Sequence, residues 1–193
     1  MEIITEEQAV ENAKGMTFEK VWEALMENRR QISDLSKNIG GVNNTLGTLT
    51  EAMFSPNLYD KFAELGFPVS RQSRDVTFTK NKQKIAEVDV LIENGEYAIV
   101  VEIKTKLTED AIDRHLKRIE AVREYFDAHS DKRKIVGAVA GGNVDNEALE
   151  YAHENGLFVI VQSGDSVTIA PSPEGFKVRE WVSGNLPVSG MMI

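Results

Sequence analysis

Cysteine is absent from the 193 residues, which excludes disulfides, thiolate zinc sites and cysteine nucleophiles at once. Surplus positive charge is missing too. Against 22 Lys and Arg stand 31 Asp and Glu, a net charge of −9, which argues against a protein that coats nucleic acid with its whole surface. No apolar run approaches the roughly 18 residues of a membrane-spanning helix. The start, Met1 to Glu7, is acidic and has neither the basic lead nor the apolar core of a secretion signal. A cytoplasmic protein with no membrane association is therefore expected. His115, His129 and His153 lack metal-ligand spacing, and no Ser-His-Asp arrangement accompanies them. What remains is ordinary for a globular domain: 41% hydrophobic and 27% charged side chains, in a length that suits one α/β domain with an extension.

The charge is unevenly spread. Residues 1–70 hold 6 basic and 11 acidic side chains and residues 135–193 hold 2 and 7, whereas residues 71–134 hold 14 and 13. A local basic surface can form only in that middle segment.

Thr5-Glu6-Glu7-Gln8 fits a capping box for a short opening helix, and a longer helix restarts at Thr17 after Gly15. Along it Phe18, Leu25, Ile32, Ile39, Leu46 and Met53 recur by sevens, interleaved with Val21, Asn28, Leu35, Val42 and Leu49. Such heptads, polar only at Asn28, form the seam of a coiled coil. The stripe either meets a partner helix or lies on its own domain; self-association is the favoured expectation. Gly40 and Gly41 fall off the seam, weaken the helix by about 1 kcal/mol each relative to Ala, and suggest a bend.

Pro56 breaks the helix, and Asn57–Leu65 reads as a short one stopped by Gly66. Three strands follow in a meander, around Val76–Phe78, Ile85–Ile92 and Tyr97–Ile103, punctuated by Asn81-Lys82 and by the hairpin signal Asn94-Gly95. Thr108 caps a helix to about His129 with Ile112, Leu116, Ile119, Val122 and Phe126 on one face. A strand at Lys134–Ala140, a helix at Asp145–Asn155 and a strand at Leu157–Gln162 come next, with edge pairings at Val167–Ala170 and Phe176–Val178. Ala140-Gly141-Gly142-Asn143 reads as a tight connection and matches neither nucleotide-binding fingerprint.

Alternation along a strand points Glu102 and Lys104 to one face together with Ala98 and Val100. In the preceding strand Glu87, Asp89 and Leu91 share a face opposite Val88, Val90 and Ile92, and the hairpin sets Asp89 beside Glu102. Half-buried carboxylates this close need a cation. Mg²⁺ accepts two carboxylates, waters and a phosphate, so Asp89, Glu102 and the Ile103 carbonyl form a plausible ligand set, with Lys104 placed to handle water or offset charge on phosphate. The bland reading makes Asp89 a solvated strand residue and Glu102–Lys104 a structural ion pair. Glu87 reads as a neighbouring surface acid. Arg71, Arg74, Lys80, Lys82 and Lys84 either track a phosphate backbone or guard an edge strand. Arg114, Lys117, Arg118 and Arg123 read first as the solvated face of their helix, with DNA contact the lesser alternative.

Asp89, twelve residues, then Glu102-Ile103-Lys104 on an apolar strand resembles the PD-(D/E)XK phosphodiesterase superfamily, the restriction-endonuclease-like fold. The resemblance implies an αβββαβ core with a mixed sheet flanked by helices, over about residues 45 to 141. It also implies metal binding by Asp89 and Glu102, Lys104 assisting the attacking water, and a helix-borne Glu that Glu51 matches. Val88 stands where many members have proline. The chain is also similar to bacterial members in which a coiled coil precedes the nuclease core. The expectation is then a coiled-coil segment at 1–50, oligomerising through residues 18–53 and most simply a homodimer, followed by a nuclease-like domain at 51–193. That domain would cleave DNA with Mg²⁺ or Mn²⁺. The competing expectation is a non-catalytic oligomeric nucleic-acid-binding or scaffold protein on the same fold.

Overall fold

A computed structural model describes residues 18–54, 58–163 and 166–184, with the side chains of 18–25, Asn43 and Ala52 left aside. The capping box at Thr5, the seam side chains of Phe18, Val21 and Leu25, and the break at Pro56 lie outside what it describes. The chain divides into two units, residues 1–45 and 46–193.

The heptad stretch forms one helix, α1 (Phe18–Phe54), running through Gly40 and Gly41. Its described seam is exposed, from 44% at Leu46 to 65% at Ile32. Within the second unit the end of α1 shows which face the domain uses. Thr50 and Phe54, one turn apart, are buried, whereas Leu46, Leu49 and Met53 are exposed. For these last turns the stripe does not lie on its own domain. The short helix α2 (Leu58–Glu64) buries Leu58 and Phe62 and closes at Gly66, whose φ of 87° an L side chain resists.

The meander forms as expected: β1 (Arg71–Lys80), β2 (Gln83–Glu93) and β3 (Tyr97–Lys106) are antiparallel neighbours. Both turns fall where expected, but the left-handed pair is at the first of them. Asn81 and Lys82 both take positive φ (53° and 65°), giving the two-residue turn whose twist matches the strands. Asn94-Gly95 has no positive φ; Asn94 Oδ1 instead accepts from the Glu96 and Tyr97 N–H groups at 2.8 and 2.6 Å.

Helix α3 (Glu109–Ala128), capped by Thr108, carries the chain to β4 (Lys134–Asn143), which runs parallel to β3. Ala140–Asn143 is thus the end of a strand rather than a connection. Helix α4 (Asn146–Glu154) returns it to β5 (Phe158–Ser163), parallel to β4, and β6 (Ser166–Ile169) pairs β5 antiparallel. Phe176–Val178 forms no strand; β7 (Glu180–Trp181) pairs the start of β4 instead. The described residues therefore give an α/β fold with a mixed seven-stranded sheet. Ile112, Ile119, Val122 and Phe126 of α3 and Ala148 and Ala152 of α4 cover one face, packing with Val88, Leu91, Ala98 and Val100. Phe54, Leu58 and Phe62 cover the other, with Val90, Ile92, Ile99 and Val101. No helix among the described residues is long and apolar enough to cross a membrane.

Helix α4 ends on Gly156 (φ 71°), with the Leu157 N–H bonded to the Ala152 carbonyl at 3.0 Å. A Cβ there would meet the Arg179 backbone nitrogen at 2.7 Å, an atom that cannot move freely. Gly156→Ala is expected to destabilise by about 2–3 kcal/mol, combining left-handed strain with overpacking. Gly175→Ala is the control: its φ is 80° but nothing lies within 4 Å, so only the strain of about 1–2 kcal/mol remains. Urea unfolding of both variants measures the difference.

Candidate functional site

The site lies where a regular ladder stops. β2 and β3 pair from Glu93↔Ala98 to Val90↔Val101, and no pair continues to Asp89 and Glu102. Past that point the Ile103 N–H donates to Asp89 Oδ2 at 2.7 Å, so a side chain takes the place of the neighbouring backbone. On its other side β3 stays paired with β4 as far as Lys106↔Asn143. Glu102 and Lys104 are thus held on a fixed strand whose β2 flank opens.

Alternation slips at the same spot. On β3 it holds: Ala98 and Val100 face α3, while Ile99, Val101 and Ile103 face the other layer. On β2 both Val88 and Leu91 face α3, and Val90 and Ile92 face away. Val88 is therefore not on the face of Val90 and Ile92, and the break in period falls at Asp89. Across the β1–β2 ladder, between the pairs Arg74↔Val90 and Val76↔Val88, stands Asp75 with φ 52°. Two opposed aspartates thus mark the irregularity, because Asp tolerates left-handed backbone better than most residues.

Glu102 is buried, 2% exposed, and compensated. One carboxylate oxygen pairs with Lys104 Nζ and the other with Arg118 Nη1 from α3. Lys104 Nζ also donates to the Ile103 carbonyl at 3.2 Å and stands 3.9 Å from Asp89 Oδ2. Burial, then the charge of Glu102, pushes the Asp89 carboxyl above its ordinary range, against the Ile103 N–H, Lys104 and Arg118. Glu51 comes from the end of α1. Its carboxyl is raised by burial first, then by Asp89 and Asp75, with Lys104 opposing, which places it in electrostatic reach of the group.

Asp89, Glu102 and Lys104 are therefore brought together, with Glu51 flanking them. Glu87 sits on the exposed side and pairs with Lys84, as a surface acid would. Arg118 and Asp75 were not expected. Arg118 directly precedes the core residue Ile119, a sequence position at the flank of the apolar stripe; Asp75 had only its poor fit to a strand as a signal. Arg123 also departs from the solvated reading. It is 1% exposed and donates to the Arg133 and Asp131 carbonyls at 2.6 Å each.

The described residues include no group of three or more His, Asp or Glu arranged to hold a metal. Mg²⁺ does not require one, since one or two carboxylates plus water and substrate phosphate complete its shell. Asp89, Glu102 and the Ile103 carbonyl offer hard oxygen donors of that kind. By donor chemistry the residues fit a small divalent cation.

Beneath the site His115 is fully buried, with Nε2 3.2 Å from the Val100 carbonyl. Burial, and then the charge of Arg118, lowers its pKa from 6.5 to about 3. The imidazole is neutral in the folded state, so its contribution to stability is complete above pH 6.5 and is lost as pH falls from there toward 3. Its share of the acid slope is at most about 1.4 kcal/mol per pH unit. Urea unfolding of His115→Gln between pH 7 and 5 should show that share removed, whatever the variant's stability at pH 7.

Similarity to solved structures is low. A repair endonuclease from Pyrococcus abyssi aligns with 15% identity over 53% of this chain and 42% of its own, with a TM-score of 0.36. A protein of unknown function, AF1548, aligns with 18% identity over 62% and 58%, with a TM-score of 0.39. An EndoMS–double-stranded DNA complex aligns with 17% identity over 54% and 44%, with a TM-score of 0.36. The chain spans roughly two fifths to three fifths of these proteins. No curated protein matches the sequence. Residues 70–169, more than half of the chain, match the family described as Domain of unknown function (DUF8196), and the chain belongs to that family.

Proposed function

We propose that this protein is a metal-dependent nuclease of the PD-(D/E)XK type that hydrolyses phosphodiester bonds in DNA and works as a coiled-coil homodimer. The observation that carries the reading is the opening of the β2–β3 ladder, which gathers Asp89, Glu102 and Lys104 at one strand end. Asp89, Glu102 and the Ile103 carbonyl would hold Mg²⁺ or Mn²⁺. When bound, the ion supplies Lewis acidity toward the phosphodiester. Lys104 orients the attacking water and sets positive charge against the phosphate as negative charge develops. Arg118 keeps Glu102 in place from α3, and Glu51 orders water on the α1 side. Elements α1, β1, β2, β3, α3 and β4 follow an αβββαβ order, with the short α2 inserted after α1, which supports the same assignment.

One observation favours a second reading, a non-cleaving nucleic-acid-binding scaffold: both oxygens of Glu102 already meet cations. The two readings separate on plasmid and single-stranded DNA incubated with Mg²⁺ or Mn²⁺ beside a calorimetric metal titration. Metal-dependent cleavage supports the nuclease. No metal binding, with or without DNA, rejects it.

A further inference from the structure

Between the start of β2 and the outer face of α3 lies an open cleft of about 520 Å³. Lys84 stands on one wall and Arg114, Lys117 and Arg118 on the other, with Glu87 the one acid lining it. Four cations to one acid is a sharp local excess in a chain of net charge −9. We infer that this cleft holds the sugar-phosphate backbone of the DNA strand leading into the site, an assignment that rests on the nuclease reading and extends it.

Spacing, exchangeability and continuity each support it. Arg114, Lys117 and Arg118 stand at i, i+3 and i+4 on the helix, so their bases lie about 5–6 Å apart along one face, a spacing suited to successive phosphates. The ion pairs that occupy Lys84 and Arg114 are exposed: Lys84 with Glu87 at 57% and 50%, Arg114 with Asp110 at 58% and 78%. Exposed pairs are worth about 0–1 kcal/mol, so phosphate can displace them. Arg118 belongs to both places, lining the cleft while its guanidinium pairs with Glu102. A strand lying in the cleft is thereby led to the opened flank of β3. In this segment α3 takes the lesser of its two expected roles, contact with DNA rather than a merely solvated face.

The test is binding of a labelled DNA oligonucleotide across a salt series, with EDTA present so that cleavage plays no part. Lys84→Gln, Arg114→Gln and Lys117→Gln are combined, leaving Arg118 and the acids of the site intact. The triple variant should bind at least tenfold more weakly at low salt, with the slope of log K against log salt reduced by about 0.7–0.9 per cation removed. Glu87→Gln should act in the opposite direction and tighten binding, a sign that general loss of structure cannot produce. In cleavage the triple variant should raise KM and leave kcat unchanged. Wild-type binding with an unchanged slope in the triple variant overturns the cleft and leaves the nuclease standing. Metal-dependent cleavage without detectable binding also overturns it. Absence of both binding and cleavage by the wild type removes the nuclease reading and the cleft with it. Tighter binding of RNA of the same sequence overturns the assignment to DNA.

Discussion

Lys104→Ala is expected to lower Mg²⁺-dependent DNA cleavage by about 10²–10³-fold, the range seen when a single charge-stabilising or proton-handling group is removed. Asp89→Asn should match it. The two losses have different causes. Lys104 contributes the only ammonium that reaches both Glu102 and Asp89 among the described residues. Asp89 does two jobs, because the carboxylate that would bind metal also accepts the Ile103 N–H at 2.7 Å. Asparagine keeps an oxygen for that N–H and removes the charge, so Asp89→Asn should retain the strand end and lose metal affinity. Calorimetry therefore separates the variants: Mg²⁺ or Mn²⁺ binding persists in Lys104→Ala and falls at least tenfold in Asp89→Asn. Thermal unfolding guards against a trivial loss, since Glu102 in the lysine variant still has Arg118. Cleavage by either variant at the wild-type rate would sink the assigned roles.

Glu102 and Lys104 could be read from the sequence because β3 obeys strict alternation, with a continuous apolar run fixing its faces. Adjacency of strands sets Asp89 beside them, and that holds, although the face expected of its neighbour Val88 does not. The misassignment has a local cause: period 2 fails where Asp75 and Asp89 face each other off the regular pleat, and binary patterning carries no mark for such a break. The same limit hid the turn type. Asn-Gly is the stronger pair statistically, yet an Asx contact satisfied Asn94, and the left-handed pair fell at Asn81-Lys82. Arg118 escaped for another reason. A long side chain at the edge of an apolar stripe can reach solvent or snorkel inward, and only the tertiary position of Glu102 decides. Arg123, on the same helix, shows the inward choice carried to full burial.

If the proposed coiled-coil dimer forms, replacing Leu35 and Val42 by Glu is expected to leave the protein monomeric at micromolar concentration, measured against the wild type by light scattering on a sizing column. Both residues lie on the heptad seam and are 59% exposed, and Ile32, Ile39 and Leu49 beside them are exposed by more than half. Burying each such side chain against a partner helix contributes about 1.5–3 kcal/mol, and the stripe has several to bury. The partner proposed is a second copy, because the same spacing read in both helices puts like positions opposite each other. Two glutamates per helix would then oppose two glutamates, with no cation nearby: the flanking seam neighbours Gln31, Ser36, Asn38, Asn43 and Thr45 are all uncharged. Asn28, the one polar seam position, should fix the axial alignment, so Asn28→Leu is expected to loosen the oligomeric state without preventing association. A monomeric wild type would overturn the coiled coil and leave the site untouched. If the seam variant is monomeric yet keeps full metal binding, the two units contribute separately: the seam pairs the copies, and each β3 end carries its own Asp89, Glu102 and Lys104.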